Sequence, residues 1–249
     1  MNLTIDIGNT RTKTGLFDGF VLVETDFFSV FNKRVLEKYL KKHKKVKNII
    51  ISSVKGDIEK EIILALEELS NFKIVKFNSN LNLPFVNKYE TPSTLGSDRL
   101  AAVCGANYMF PCVNLLVINA GTCITYDFIS SKKLYKGGAI SPGITMRLKA
   151  LNYYTGQLPL ITSFNNYVLT GTNTETCILS GVLNGVIMEI EGFIREYNNK
   201  YKDLIVILSG GDYNFIKDKI KFRIFAVPNI VLIGLNIILN YNDKHIKRT

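Results

Sequence analysis

The sequence predicts an α/β fold built as two similar halves, each on a mixed sheet. Three observations carry this expectation. Two short glycine–threonine turns each follow an apolar strand-like run: Asp6-Ile7-Gly8-Asn9-Thr10 comes after Leu3-Thr4-Ile5, and Asn119-Ala120-Gly121-Thr122 after Leu115-Leu116-Val117-Ile118. A strand hairpin followed by alternating helices and strands then appears twice, once behind each turn. The turns stand about one small domain apart, and no Pro/Gly/Ser-rich linker separates the two series. The boundary is therefore expected within residues 94–114, as a hinge between halves 1–112 and 113–249.

In chain order, strand-like runs lie at 3–6, 15–17, 20–28, 48–53 and 73–77. Between them, residues 32–46 and 57–70 carry helical periodicity, with Leu36, Tyr39 and Leu40 on one side and Ile62, Leu66 and Leu69 on another. Residues 94–110 read as a helix with Thr94 as its N-cap. The series restarts with strands at 114–119, 122–129 and 133–140, then helices at 145–154 and 173–201. An apolar strand at 204–208, a short helix at 212–220 and a closing helix at 229–241 complete it.

Composition narrows the class. A hydrophobic share of 47% is ample for packed cores. The N-terminus has no basic region followed by an apolar stretch, and no run reaches the ~18 apolar residues of a membrane helix. The expectation is a soluble cytoplasmic protein. The cysteines Cys104, Cys112, Cys123 and Cys177 lack paired spacing, and His43 and His245 are the only histidines, which argues against zinc. The formal charge of +10 gathers at Lys41, Lys42, Lys44, Lys45 and Lys47 and in the tail Lys244, Lys247 and Arg248. The first group closes a helix, where cations suit the dipole, so a nucleic-acid partner is not expected.

Five clusters could carry chemistry. Asp6 stands at a strand end, where a carboxylate can hold Mg²⁺ and its waters against phosphates. The backbone of Ile7 and Gly8, with Asn9, Thr10, Arg11, Thr12 and Lys13, offers donors and positive charge beside it; the structural reading is an Asx-type turn. In Thr91-Pro92-Ser93-Thr94-Leu95-Gly96-Ser97-Asp98-Arg99, Asp98 can take a proton from an attacking hydroxyl while Arg99 holds a carboxylate. Its structural reading is an acid satisfying a helix N-terminus beside a surface arginine. Gly121, Thr122 and Thr125 form the second phosphate turn, with Gly137-Gly138 and Ser141-Pro142-Gly143 as a glycine corner. Gly171-Thr172-Asn173-Thr174 opens the long helix, and Ser209-Gly210-Gly211-Asp212 follows an apolar strand, where adenine or ribose could rest on bare backbone. Each glycine turn alone is weak; their order is strong. Together the two phosphate turns predict two halves gripping one nucleoside triphosphate.

The set resembles the type III pantothenate kinase family, within the acetate and sugar kinase/Hsp70/actin superfold. The matching segments are D-I-G-N-T-R-T-K, Y-E-T-P-S-T-L-G-S-D-R, N-A-G-T-C-I-T-Y-D, G-G-A-I-S-P-G, the start of the long helix and L-S-G-G-D. The resemblance implies two ribonuclease H-like halves with mixed sheets, as in actin-like ATPases. It implies ATP-dependent phosphorylation of pantothenate to 4′-phosphopantothenate, on the route to coenzyme A. Residues 6–13 would bind ATP phosphates, with Gly121 and Thr122 contributing and Gly210 and Gly211 near the adenosine. Tyr89, Gly96, Ser97, Asp98, Arg99 and Thr174 would contact pantothenate, with Asp98 as general base and Arg99 on its carboxylate. The family resemblance also implies a homodimer, Mg²⁺ organised by Asp6 through water, and a monovalent cation, K⁺ or NH₄⁺.

At one position the chain departs from that pattern. Asn119 stands where the family usually has an aspartate, the expected ligand of the monovalent cation. Asparagine keeps a carbonyl oxygen and drops a full charge, so cation dependence is expected to weaken. The rival reading is a nucleotide-binding transcriptional accessory protein without kinase activity. The Asp98-Arg99 pair counts against it, because a regulator needs no general base.

Overall fold

The computed structural model describes residues 1–69, 71–78, 81–163 and 167–246. Ser70, the expected end of the second helix, and Lys247 and Arg248 of the basic tail lie outside the described residues. The first elements are β1 (Asn2–Ile7), β2 (Thr12–Asp18), β3 (Val21–Phe28), α1 (Lys33–Lys42), β4 (Asn48–Ser53), α2 (Gly56–Glu68), β5 (Lys73–Lys76), β6 (Val86–Asn87) and α3 (Ser97–Met109). Then follow β7 (Asn114–Ala120), β8 (Cys123–Ile129), β9 (Leu134–Pro142), α4 (Ile144–Tyr153) and α5 (Thr174–Lys200). The last are β10 (Leu204–Ser209), α6 (Tyr213–Lys217), β11 (Phe225–Ala226) and α7 (Ile230–Ile246). The α/β class with two mixed sheets is therefore as expected.

Two compact units are present. The first comprises Met1–Cys112, Ile129–Lys136 and the chain from Asn229 onward; the second comprises Val113–Phe128 and Gly137–Pro228. Residues 129–136 and the closing helix thus belong with the first unit, although they lie beyond residue 112. A linear division of the sequence has no way to register a segment that returns.

The first unit is built on a sheet of order β3-β2-β1-β4-β5. β1, β2 and β3 are antiparallel, while β4 and β5 run parallel to β1. Alternation divides β1 between two faces. Leu3, Ile5 and Ile7 are buried among Leu36, Leu40, Ile62 and Leu66 of α1 and α2. Asn2, Thr4 and Asp6 point to the other side, where Asn2 Nδ2 donates to Asn236 Oδ1 of α7 at 2.9 Å. α3 crosses α7 on that side, and glycines set the approach: a Cβ on Gly234 would stand 1.7 Å from the Ala101 carbonyl oxygen. α1 is capped by Asn32, whose side chain accepts from the Val35 N–H, and it ends at His43 rather than Val46. Lys41, Lys42, Lys44, Lys45 and Lys47 are exposed, and Lys42 pairs with Glu24 at 2.6 Å, as a solvated helix end requires.

The expected helix from Thr94 needs correction. Residues Pro92–Thr94 form a 3₁₀ turn, Leu95 is extended, and α3 starts at Ser97 with Gly96 as N-cap. The Thr94 hydroxyl bonds back to the Thr91 carbonyl at 3.0 Å, so it closes the 3₁₀ turn and caps nothing ahead of it.

The second sheet has the order β11-β10-β7-β8-β9-β6, with β7, β10 and β11 parallel. Its short outer strands β6 and β11, of two residues each, carry no periodicity for a sequence to display. Behind the sheet lies α5, whose Ile178, Leu179, Val182, Leu183, Val186, Ile187, Ile190 and Ile194 are buried. Each such side chain contributes roughly 1.5–3 kcal/mol when fully buried, so the helix is held as a core element. By length and composition α5 could cross a membrane, contrary to the expectation that no stretch qualifies. Its apolar stripe faces the unit's own core instead.

Candidate active site

The first unit gathers charged side chains at one edge of its sheet. Cross-strand register sets Lys13 of β2, Asp6 of β1 and Ser52 of β4 side by side. Cross-strand neighbours share a face, so the three project together at the C-terminal ends of the parallel strands. The turn between β1 and β2 is closed by the Gly8 N–H on the Arg11 carbonyl at 3.2 Å. Asn9, Thr10 and Arg11 are exposed there, whereas Thr12 is buried. Thr12 and Lys13 belong to β2 and not to the turn itself. The Lys13 ammonium lies 5.9 Å from the Phe27 ring centroid.

The N-terminus of α3 completes this group. Ser97 Oγ and Ser52 Oγ are hydrogen-bonded at 2.8 Å. Asp98, in the first helical turn, accepts from the Arg99 N–H at 2.9 Å. Gly96 lets that carboxylate lie close to the backbone: a Cβ there would be 2.6 Å from Asp98 Oδ1 and would push the side chain aside. Arg99 is buried, with its guanidinium 5.8 Å from the Tyr89 ring centroid. Tyr89 stacks in turn on Tyr135 at 6.3 Å.

Electrostatics bind Asp6 and Asp98 into one site. The Asp6 carboxyl is pushed up to about 7, first by burial and then by the Asp98 charge, with Lys13 opposing. Burial also lowers the Lys13 ammonium, which Asp6 opposes and Arg11 reinforces. A buried carboxyl whose proton affinity is raised by a second carboxylate is a group that a divalent cation would relieve. No group of three or more acidic, histidine or cysteine donors occurs among the described residues.

The second unit gathers bare backbone. Its turn, Gly121-Thr122, joins β7 to β8, and the Gly121 N–H donates to the Cys123 carbonyl at 3.0 Å. Two glycines press on this turn. A Cβ on Gly143 would sit 2.1 Å from the Gly121 oxygen, and one on Gly210 would sit 2.0 Å from the Ala120 oxygen. Gly210 also has φ +102°, open only to glycine at low strain. The Gly143 N–H donates to the Thr122 carbonyl, and the Asp212 N–H to that of Ala120, each at 3.0 Å. Gly210 is thus fixed by close backbone approach, whereas a Cβ on Gly211 would meet nothing within 4 Å. Asn119 is half-buried on β7, opposite Ser209 of β10. Thr174 is exposed in the first turn of α5, which Asn173 and Thr176 cap reciprocally.

Asp6, Lys13, Asp98, Ser97, Arg99 and Tyr89 therefore share the first unit, and Gly121, Thr122, Gly210, Gly211, Asn119 and Thr174 the second. Sequence reasoning missed Ser52. Its signal was available: Ser52-Ser53 ends the apolar run Ile49-Ile50-Ile51, as Asp6 ends its own strand.

The architecture is the α/β fold of two mixed sheets that solved actin-like proteins share. A glucokinase from an Antarctic psychrotroph superposes with TM-score 0.55 at 13% identity, covering 96% of this chain and 98% of that one. A Campylobacter jejuni protein assigned to the Baf family of transcriptional activators does so with TM-score 0.62 at 20% identity, covering 97% and 99%. At those identities the likeness establishes the fold alone. Sequence likeness is more specific: a family model described as type III pantothenate kinase matches residues 2–196. The type III pantothenate kinase of Flavobacterium johnsoniae is 44% identical over 240 residues, covering 95% of this chain and 96% of the relative. The chain belongs to the type III pantothenate kinase family.

Proposed function

We propose that the protein transfers the terminal phosphoryl group of ATP to the primary hydroxyl of pantothenate, giving 4′-phosphopantothenate for coenzyme A synthesis. The observation that carries this reading is the pairing of Asp98, at the N-terminus of α3, with Asp6, at the end of β1, in one electrostatically coupled site. Asp98 is the general base: it orients the attacking hydroxyl and accepts its proton. Arg99 holds the substrate carboxylate, with Tyr89 packed against the guanidinium and Gly96, Ser97 and Thr174 as further contacts. Residues 6–13 hold the ATP phosphates, Gly121 and Thr122 contribute from the second unit, and Gly210-Gly211 backs the adenosine. Catalysis by such a site is mostly positioning and charge neutralisation.

Asp6 is the carboxylate that would hold Mg²⁺ through water, and the ion would neutralise phosphate charge. Asn119 offers an amide oxygen to K⁺ or NH₄⁺, so stimulation by either ion is expected to be small. Exposed Tyr153 and Tyr154, with Met146 and Met188, support a homodimer that would cover them. The reading places the enzyme in the cytoplasm.

A coupled ADP-release assay with Mg-ATP and pantothenate, run with and without K⁺, tests all of this. Pantothenate-dependent ADP release is expected, nearly equal in both conditions. A large gain on adding K⁺ would overturn the reading of Asn119. No release in either condition would overturn the reaction itself.

A further inference from the structure

Glu189 breaks the apolar stripe of α5, lying between buried Ile187 and buried Ile190. Its carboxylate collects donors from three other elements of the second unit. Oε1 accepts from the Tyr126 hydroxyl of β8 at 2.7 Å and from the Ser141 hydroxyl of β9, and Oε2 accepts from the Arg147 guanidinium of α4. Arg147 Nε donates in turn to the Pro142 carbonyl at 2.8 Å. The next residue is Gly143, whose N–H bonds to Thr122 and whose missing side chain leaves room for the Gly121 oxygen. One carboxylate is thereby linked, through one arginine and one peptide, to the backbone of the second phosphate turn.

The energetics point to geometry rather than stability as the product of this network. Glu189 and Arg147 side chains are 25% and 22% exposed, so desolvation offsets much of their attraction. Burial works against the Glu189 charge, yet the bonds from Arg147, Ser141 and Tyr126 hold its carboxyl below the usual range. Burial likewise pushes the Tyr126 phenol up, so it stays a donor. Charge-assisted bonds of this kind are directional, and they fix the corner 141–143 from which Gly143 meets the turn.

We propose that Glu189 is a positioning residue for nucleotide binding: through Arg147 and Ser141 it sets the Pro142–Gly143 corner against the Gly121–Thr122 turn. The proposal rests on the reading that this turn holds ATP phosphates. Glu189→Gln keeps the size and one oxygen of the side chain and removes its charge. Its affinity for Mg-ATP, measured calorimetrically without pantothenate, is expected to fall roughly tenfold, as loss of a charged hydrogen bond transmitted to a ligand would give. KM for ATP should rise in step while KM for pantothenate stays put. Arg147→Lys, which keeps the charge but lacks the Nε bond to Pro142, should lower ATP affinity too. The double variant should lose less than the two losses combined, because the pair acts as one device.

Unchanged ATP affinity in Glu189→Gln, with only a fall in Tm, would overturn the proposal, as would equal rises in both KM values. Wild-type protein that binds Mg-ATP but does not phosphorylate pantothenate would overturn the substrate reading alone, and the ATP affinities would still judge Glu189. Wild-type protein that binds no Mg-ATP would overturn both.

Discussion

The two units present candidate phosphate-binding groups of opposite kinds. The first gathers ionisable side chains, Asp6, Lys13, Asp98 and Arg99, partly or fully withdrawn from water, with Asp6 coupled to Lys13 and Asp98. The second uses peptide groups of 120–122, seated by Gly143 and Gly210, with its charges at Glu189 and Arg147 set back from the turn. The difference teaches where each unit is vulnerable. In the first, what a substitution alters is charge, at the buried Arg99 as well as at the half-buried Asp6, Lys13 and Asp98. In the second, adding a single methyl group strikes backbone, which has no rotamer to yield.

The sharpest break of this comparison is Asp98→Asn. Turnover should fall by about 10²–10⁴, the usual share of a general base, while Mg-ATP affinity and Tm hold or rise slightly. A slight rise follows because the variant relieves the repulsion on Asp6. Near-wild-type turnover in a kinetic assay would remove Asp98 from its role.

Next is Gly210→Ala, which combines positive-φ strain with a 2.0 Å clash and should destabilise the protein by ~2–5 kcal/mol in denaturant unfolding. Gly211→Ala is its control, because its Cβ meets nothing and stability should change by less than ~0.5 kcal/mol. Equal losses at the two positions would remove the distinction between seated and open glycine.

Ser52→Ala probes the first unit more gently. Losing one hydroxyl partner of Ser97 should raise KM for pantothenate about fivefold, with KM for ATP unchanged. A rise confined to ATP would place Ser52 with the phosphate turn instead.

The smallest effect concerns acid. The Glu189 carboxyl is held below its ordinary 4.5 by Arg147, Ser141 and Tyr126 against the pull of burial. A depressed carboxyl stabilises the folded state above the unfolded value and loses that contribution as pH falls through the folded one. The Tm difference between wild type and Glu189→Gln should therefore be present at pH 7 and shrink below about pH 4.5. A difference that grew with acid would reverse the sign assigned here.

Much of this was legible in the chain. Apolar runs such as Leu115-Leu116-Val117-Ile118 announce buried strands, because a strand covered on both faces has no polar alternation. Asp6 and Asp98 were marked by standing two residues from glycines at element ends. The start of α3 was misread because Thr94 is a good N-cap by type, and only its bond back to Thr91 shows that it serves the preceding turn. The role of Arg147 was illegible, since its partner Glu189 lies far along the chain on another helix.

The sequence by itself determined the α/β alternation, the two glycine–threonine turns and the residue types able to do phosphoryl chemistry. These follow from local periodicity and from the dihedral freedom of glycine, which are properties of neighbours in the chain. Only the tertiary structure decided that Ser52 stands between Asp6 and Ser97, that Gly210 is bound by the Ala120 backbone, and that α7 packs with the first unit. Register and close approach join residues remote in sequence, and no short-range pattern encodes a distance between them.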